Sequence, residues 1–123
     1  ISKDKLMEIR GRQYEAVQGI LTHGGTTPTV VIPGITGKTL YLNYILLSIS
    51  EILSHSVTGE LRDGSAGTAF WAQEILDYYQ YIPTSYMLDY GEYGLALTEG
   101  NGLFATTSTA NLDYVITALG YYK

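Results

Sequence analysis

The chain has 123 residues and a mass of 13.5 kDa, a length typical of one domain. Hydrophobic residues make up 46% of the chain and charged residues only 15%, a composition that argues against intrinsic disorder. The net charge of −5 and the absence of cysteine leave no basis for a nucleic-acid partner, a disulfide framework or a thiolate metal site.

Glycine, threonine and tyrosine are unusually frequent, with 14, 14 and 12 copies. Threonine and tyrosine favour strands, and glycine spread along the chain indicates many turns. The composition therefore predicts an all-β protein, an antiparallel and jelly-roll-like β-sandwich of about eight strands.

The first 12 residues are the most charged part of the chain, and their charge favours an exposed arm or a first helical turn. We predict an N-terminal arm over residues 1–13. A single β-sandwich domain is predicted to follow over residues 14–123. No apolar run follows the charges of the arm, so we expect no signal peptide. Residues 40–53 are apolar but too short and too polar to span a bilayer, and we expect no membrane insertion.

Turn residues divide the predicted domain into short strand-like segments. In chain order, these segments cover residues 14–22, 29–32, 38–53, 56–62, 68–76, 85–90, 95–98, 103–106 and 112–122. The last segment alternates most clearly, because Tyr114, Ile116 and Ala118 share one side. Asp113, Val115, Thr117 and Leu119 lie on the other side.

Residues 38–53 fit two kinds of structure. The apolar side chains match both the alternation of a strand and the spacing of a helix, and periodicity alone does not separate the two. The segment is rich in isoleucine, tyrosine and serine, so we predict one long strand that is bulged or broken near residues 48–51. A strand followed by a helix is the alternative. The segment 68–76 also fits either period, and a strand is favoured there.

Two glycine-rich segments have spacings similar to nucleotide-binding motifs. Residues 34–39 lack the glycine that a P-loop requires at position 32, which is Ile32. Residues 100–105 match a dinucleotide fingerprint, but too few residues follow them to complete the βαβ unit and its acidic residue. Both segments are therefore interpreted as turns between strands.

No arrangement of side chains in the sequence indicates catalysis. His23 and His55 lie far apart in polar, turn-like stretches, and we interpret both as solvated loop histidines. Ser54 and Ser56 flank His55, but neighbours along a strand point to opposite faces, which does not suit a triad. The sequence predicts a protein that is not an enzyme and that has no cofactor and no metal site.

Loop carboxylates offer calcium binding as an alternative, since carboxylate oxygens are calcium ligands. The acidic residues near predicted turns are Asp63, Asp77, Asp89, Glu92 and Glu99. Their spacing is not that of an EF-hand, and acidic residues are common in turns for local hydrogen bonding.

An aromatic cluster is the most informative local feature of the sequence. Its candidate contact residues, for an interface or for stacking on a glycan, are Trp71, Tyr78, Tyr79, Tyr81, Tyr86 and Tyr90, and Tyr93 follows closely. Exposed tyrosine and tryptophan side chains are enriched in protein interfaces and offer flat contact area. Packing in the core or along the strands is the alternative for the same residues.

In the order of its segments 37–42, 60–68, 94–98 and 113–121, the chain resembles the small β-sandwich proteins on the virions of tailed phages and related viruses. This resemblance implies a non-enzymatic virion structural protein, a capsid decoration or cement protein or a tail-associated one. Its implied partners are copies of itself and a major capsid or tail protein, and its implied location is the virion surface after assembly in the host cytoplasm. A glycan-binding, receptor-recognising β-sandwich module is the alternative.

Overall fold

The computed structural model describes residues 6–9, 12–24, 26–49, 57–75, 84–108 and 112–123. All regular structure in these residues is β-strand. The strands are β1 (Leu6–Ile9), β2 (Arg12–Gly24), β3 (Thr29–Ile32), β4 (Leu40–Ile49), β5 (Val57–Asp63), β6 (Ala69–Ile75), β7 (Thr84–Asp89), β8 (Leu95–Ala96), β9 (Leu103–Thr107) and β10 (Leu112–Tyr122). Because the described part contains no helix, none of it could cross a membrane as a helix.

The strands form two antiparallel sheets. The larger sheet has the order β1-β2-β10-β4-β7, and the short β8 pairs with β4 next to the segment that pairs with β7. The smaller sheet has the order β3-β9-β5-β6. Without β1 and β8, eight strands remain in two four-stranded sheets, the architecture of a jelly roll. The predicted all-β sandwich is confirmed.

The core lies between the two sheets and is built from alternate residues of their strands. Its fully buried larger side chains are Ile32, Leu40, Leu42, Ile45, Leu61, Leu103 and Ile116. On β10, Tyr114, Ile116 and Ala118 face the core, as the alternation of the sequence predicted. The other side of β10 therefore faces away from the smaller sheet.

Strand β4 carries a β-bulge at Asn43. Leu119 and Gly120 of β10 pair with Tyr44 and Leu42, so Asn43 is the extra residue on β4. The bulge lets Leu42 and Ile45 both face the core although they are three residues apart. The prediction of a strand is confirmed for residues 40–49, whereas residues 50–53 lie outside the described part. Ser48, where an irregularity was expected, pairs regularly with both neighbouring strands.

The N-terminal segment joins the larger sheet. β1 pairs with the start of β2 from Leu6↔Glu15 to Ile9↔Arg12. Residues 6–9 and 12–13 are therefore strand, not the helical turn that was one expectation for them. The boundary at residue 13 between an arm and the domain stays a prediction.

Two buried tyrosines differ in their hydrogen bonding. The Tyr122 hydroxyl donates to the Pro33 carbonyl at 2.6 Å, whereas the buried Tyr114 hydroxyl has no hydrogen-bond partner among the residues that the structure describes. We expect Tyr122→Phe to lower the free energy of unfolding by about 1 kcal/mol, and Tyr114→Phe to be neutral or stabilising. Urea unfolding of the two variants measures this difference, and a larger loss for Tyr114→Phe would contradict it.

Stability is also expected to decline in alkali. Burial raises the pKa of Tyr90, Tyr114, Tyr121 and Tyr122 above the usual 10.0, so the folded chain holds phenol protons that the unfolded chain releases. This contribution is complete below about pH 10 and is lost as the pH rises through the raised pKa values. We expect the urea midpoint to fall steeply above pH 10, and a midpoint that is constant to pH 11 would argue against it.

Candidate protein-binding surface

The outer face of the larger sheet carries a row of apolar side chains. The register places Met87 beside Leu46 and places Thr117 between Leu46 and Ile20, so this row crosses β7, β4, β10 and β2. Val115 and Leu119 lie two residues to either side of Thr117 on β10 and point the same way. These six residues are called the apolar patch below.

Most of the patch is open to solvent. Met87 is 64% exposed and Ile20 61%, while Val115 is 43% and Leu119 41% exposed. Four of the six large hydrophobic side chains that the described part exposes thus share one sheet face. Scattered apolar residues are normal on a protein surface, whereas a contiguous apolar patch is often functional.

The patch is nearly free of charge. The described side chains beside it on the same face are Gln18, Tyr44, Ser48, Ser85 and Asp89, of which only Asp89 is charged. Tyr44 donates to the Met87 sulfur at 3.0 Å, and the Ser48 and Ser85 hydroxyls lie 3.5 Å apart. Besides the Thr117 hydroxyl, the centre of this face thus offers a partner mainly apolar contact.

One end of the same face is closed by tyrosines. Tyr121 stacks on Tyr41 with ring centroids 5.0 Å apart, and Tyr14 lies against it at 5.3 Å. The Tyr121 hydroxyl donates to the Tyr93 carbonyl at 2.6 Å, which folds the 91–94 turn over this end. Asn43 holds the same turn by donating to the carbonyls of Gly91 and Glu92. Tyr121 is therefore buried, and the apolar patch begins where this cover ends.

The aromatic residues predicted as contact residues lie elsewhere. Trp71 and Tyr86 meet edge to face across the two sheets at 5.6 Å, and with Tyr90 they pack half-buried against the core. Tyr78, Tyr79 and Tyr81 lie outside the described residues. Trp71, Tyr86 and Tyr90 thus contribute to packing, and the role of the cluster at an interface or on a glycan stays a prediction.

The predicted loop carboxylates hold turns together. The Asp63 carboxylate accepts hydrogen bonds from the backbone nitrogen of Thr98 and, at 2.8 Å, from the Thr98 hydroxyl. It also accepts one from the Asn101 side-chain amide at 3.0 Å. Asp89 accepts from the Gly91 nitrogen at 2.9 Å. Asp77 lies outside the described residues. Among the side chains that the structure describes, no three His, Asp or Glu residues come together as a possible metal site.

The histidines are not brought into a described site. His23 lies within β2, so its interpretation as a loop residue is wrong: the ladder to β10 continues to Gly24. His55 lies outside the described residues. The turns in segments 34–39 and 100–105 lead into the strands β4 and β9. A nucleotide-binding motif would require a helix at these places.

The outer face of the smaller sheet holds a polar cleft of about 300 Å³. The Arg62 guanidinium donates to the Glu60 carboxylate at 2.9 and 3.1 Å, and the Thr106 hydroxyl lies 3.5 Å from the same oxygen. The remaining lining residues are Thr26, Thr58, Thr107 and Ser108. Hydroxyls, a carboxylate and a guanidinium are groups that can bind polar ligands such as sugars.

Comparison with known proteins gave no match to any protein-family model and none to a curated protein.

The apolar patch was not predicted from the sequence. Its signal was present, because β4 and β10 carry apolar residues at positions of both alternations, among them Leu46, Val115 and Leu119. Apolar residues on both sides of a strand are typical of a strand that other parts of the protein, or a partner, cover on both faces. Ile20 and Met87 join the patch only through the order of the strands, which periodicity does not reveal.

Proposed function

We propose that this chain is a non-enzymatic structural protein that works by assembly, as a decoration, cement or tail-associated protein on a virion. The observation that supports this proposal is the apolar patch. A sandwich with its own complete core leaves Ile20, Met87, Val115 and Leu119 in water, and contact with another protein would bury them.

The architecture is compatible with this proposal without establishing it. Double-sheet jelly rolls occur in viral capsid and lectin domains, and a fold by itself does not determine function. Among the described strands, β7, β3 and β6 lie at the ends of the sheet orders, and repeated contacts between copies would cover sheet edges. Assembly of many copies would cover both the edges and the patch.

The test is the mass of the particle that carries the chain in its native source. We expect a particle far larger than the 13.5 kDa chain, with many copies arranged regularly on its surface in electron micrographs. A chain that is recovered free, with no shell or tail attached, would contradict the proposal. The chain's ability to bind emptied particles of the same source, measured by cosedimentation, provides the control.

Glycan binding is a second candidate function, and the polar cleft favours it. A sugar in the cleft would exchange hydrogen bonds with Glu60, Arg62 and the surrounding hydroxyls. On an oligosaccharide array, Glu60→Gln should then abolish binding, while Glu99→Gln in a turn outside the cleft should retain it. No binding by the wild-type chain to any sugar on the array would argue against this function. Trp71→Ala is a poor probe here because Trp71 packs against the core.

A further inference from the structure

We infer that the occupant of the apolar patch is a second copy of this chain, packed face to face about a two-fold axis that runs along the strands between β4 and β10. This inference rests on the proposed function and names the partner at one of its surfaces. It is carried by the charge and size of the patch and by the register of the four strands.

Charge favours a second copy on this face. Two chains of net charge −5 repel each other, so they approach most easily through a surface that carries little of that charge. Of the described side chains in and beside the patch, only Asp89 is charged, and it lies at a corner on the edge strand β7. The acidic residues Glu60 and Glu99 lie off this face, whereas Glu92 lies in the 91–94 turn over its tyrosine end, outside the patch.

The register makes the patch complementary to itself. The axis exchanges β7 with β2 and β4 with β10, so Met87 of one copy packs against Ile20 of the other and Leu46 against Thr117. Asp89 then faces the Gln18 amide of the second copy, which can donate a hydrogen bond to it. Among the described side chains of the patch no like charges meet, and the flexible Met87 side chain can adapt to the neighbouring surface.

The size of the patch indicates a small interface. Four strands about 4.8 Å apart and five residues at about 3.4 Å give a footprint of roughly 320 Å². Stable complexes bury about 800 Å² per partner, so we expect this pair to be weak and transient. Weak pairing of this kind becomes lasting when many copies are held on one particle.

The experiment is sedimentation equilibrium of the purified chain from 10 μM to 1 mM, with two matched lysine variants. Val115 and Val30 are 43% and 44% exposed, and they lie on different sheets. Val115→Lys places two lysines beside each other across the axis and should abolish the dimer. Val30→Lys, on β3 of the smaller sheet, should dimerise like the wild type. Thermal unfolding of both variants verifies that they are folded.

A charge exchange tests the two-fold axis itself. Position 115 of one copy lies next to position 115 of the other, so Val115→Lys mixed with Val115→Asp should form a heterodimer although each variant alone is monomeric. A wild-type chain that is monomeric at 1 mM, or a Val115→Lys variant that still dimerises, would overturn the inference. So would a mixture that stays monomeric. A monomeric chain that nevertheless binds native particles would leave the proposed function standing and remove only the self-pairing.

Discussion

Replacing Ile116 with alanine is expected to lower the free energy of unfolding by about 3–4 kcal/mol. Ile116 is fully buried between the sheets, and its truncation removes apolar contacts and leaves a cavity that a packed sandwich fills only in part. Leu119, three residues further along the same strand, has the same number of side-chain carbons but is 41% exposed on the outer face. Leu119→Ala should therefore change the stability of the isolated chain by less than about 0.5 kcal/mol.

Urea unfolding at low protein concentration, where the chain is monomeric, measures both values. The contrast matters because it separates the core from the apolar patch on a single strand. Leu119→Ala should weaken pairing at high concentration while leaving the fold intact. Equal losses of stability for the two variants would mean that the outer face is part of the folding core and not a free surface.

Gly19→Ala is expected to be almost as damaging, although it adds only one methyl group. A Cβ at Gly19 would lie 2.2 Å from the Val31 carbonyl oxygen and 2.5 Å from the Ile32 side chain. The nearest atom is backbone of β3, which cannot turn aside as a side chain can, so β2 and β3 would have to separate. We expect a loss of about 3 kcal/mol or more, at the upper end for an overpacked core.

Gly37→Ala is the matched control for this change. Gly37 has a φ of +80° and open space around its Cβ position, so alanine there costs only backbone strain, about 1 kcal/mol. The two variants should therefore differ in their urea midpoints by a clear margin. A Gly19→Ala variant as stable as Gly37→Ala would show that the close approach of β2 and β3 is not required.

Much of the fold could be predicted from the sequence because glycine marks its turns and the side chains of its strands alternate between two faces. The segment 29–32 is the strand β3 in the structure, and the alternation of Tyr114, Ile116 and Ala118 identified the inner side of β10. Local patterns of this kind report which side chains face a core. They report neither which strands become neighbours nor which of two apolar faces is left in water.

The bulge at Asn43 shows one limit of such patterns. Strict alternation from Leu40 places Leu42 and Tyr44 on one face, but the extra residue shifts the remainder of β4, so that Ile45 faces the core and Tyr44 faces outward. The helix alternative for this segment arose from the same irregular spacing. Only pairing with β10 over a long sequence distance resolves it.

The candidate site shows a second limit. The cluster around Trp71 is conspicuous in composition, yet Trp71 and Tyr86 are brought together across the sheets and pack against the core. The exposed patch combines β2, β4, β7 and β10, which are spread over most of the chain. A site made by strand order is invisible to a search along the sequence.

The most direct measurement of assembly through the apolar patch is the oxidation of Met87 by dilute peroxide, followed by mass spectrometry of its peptide. Met87 is 64% exposed in the single chain, and an exposed thioether oxidises readily. We predict fast formation of the sulfoxide in the dissociated, monomeric chain and slow formation in the native assembly, where another protein surface covers the patch. Equal rates in the two samples would contradict the proposal that this face works by contact with protein.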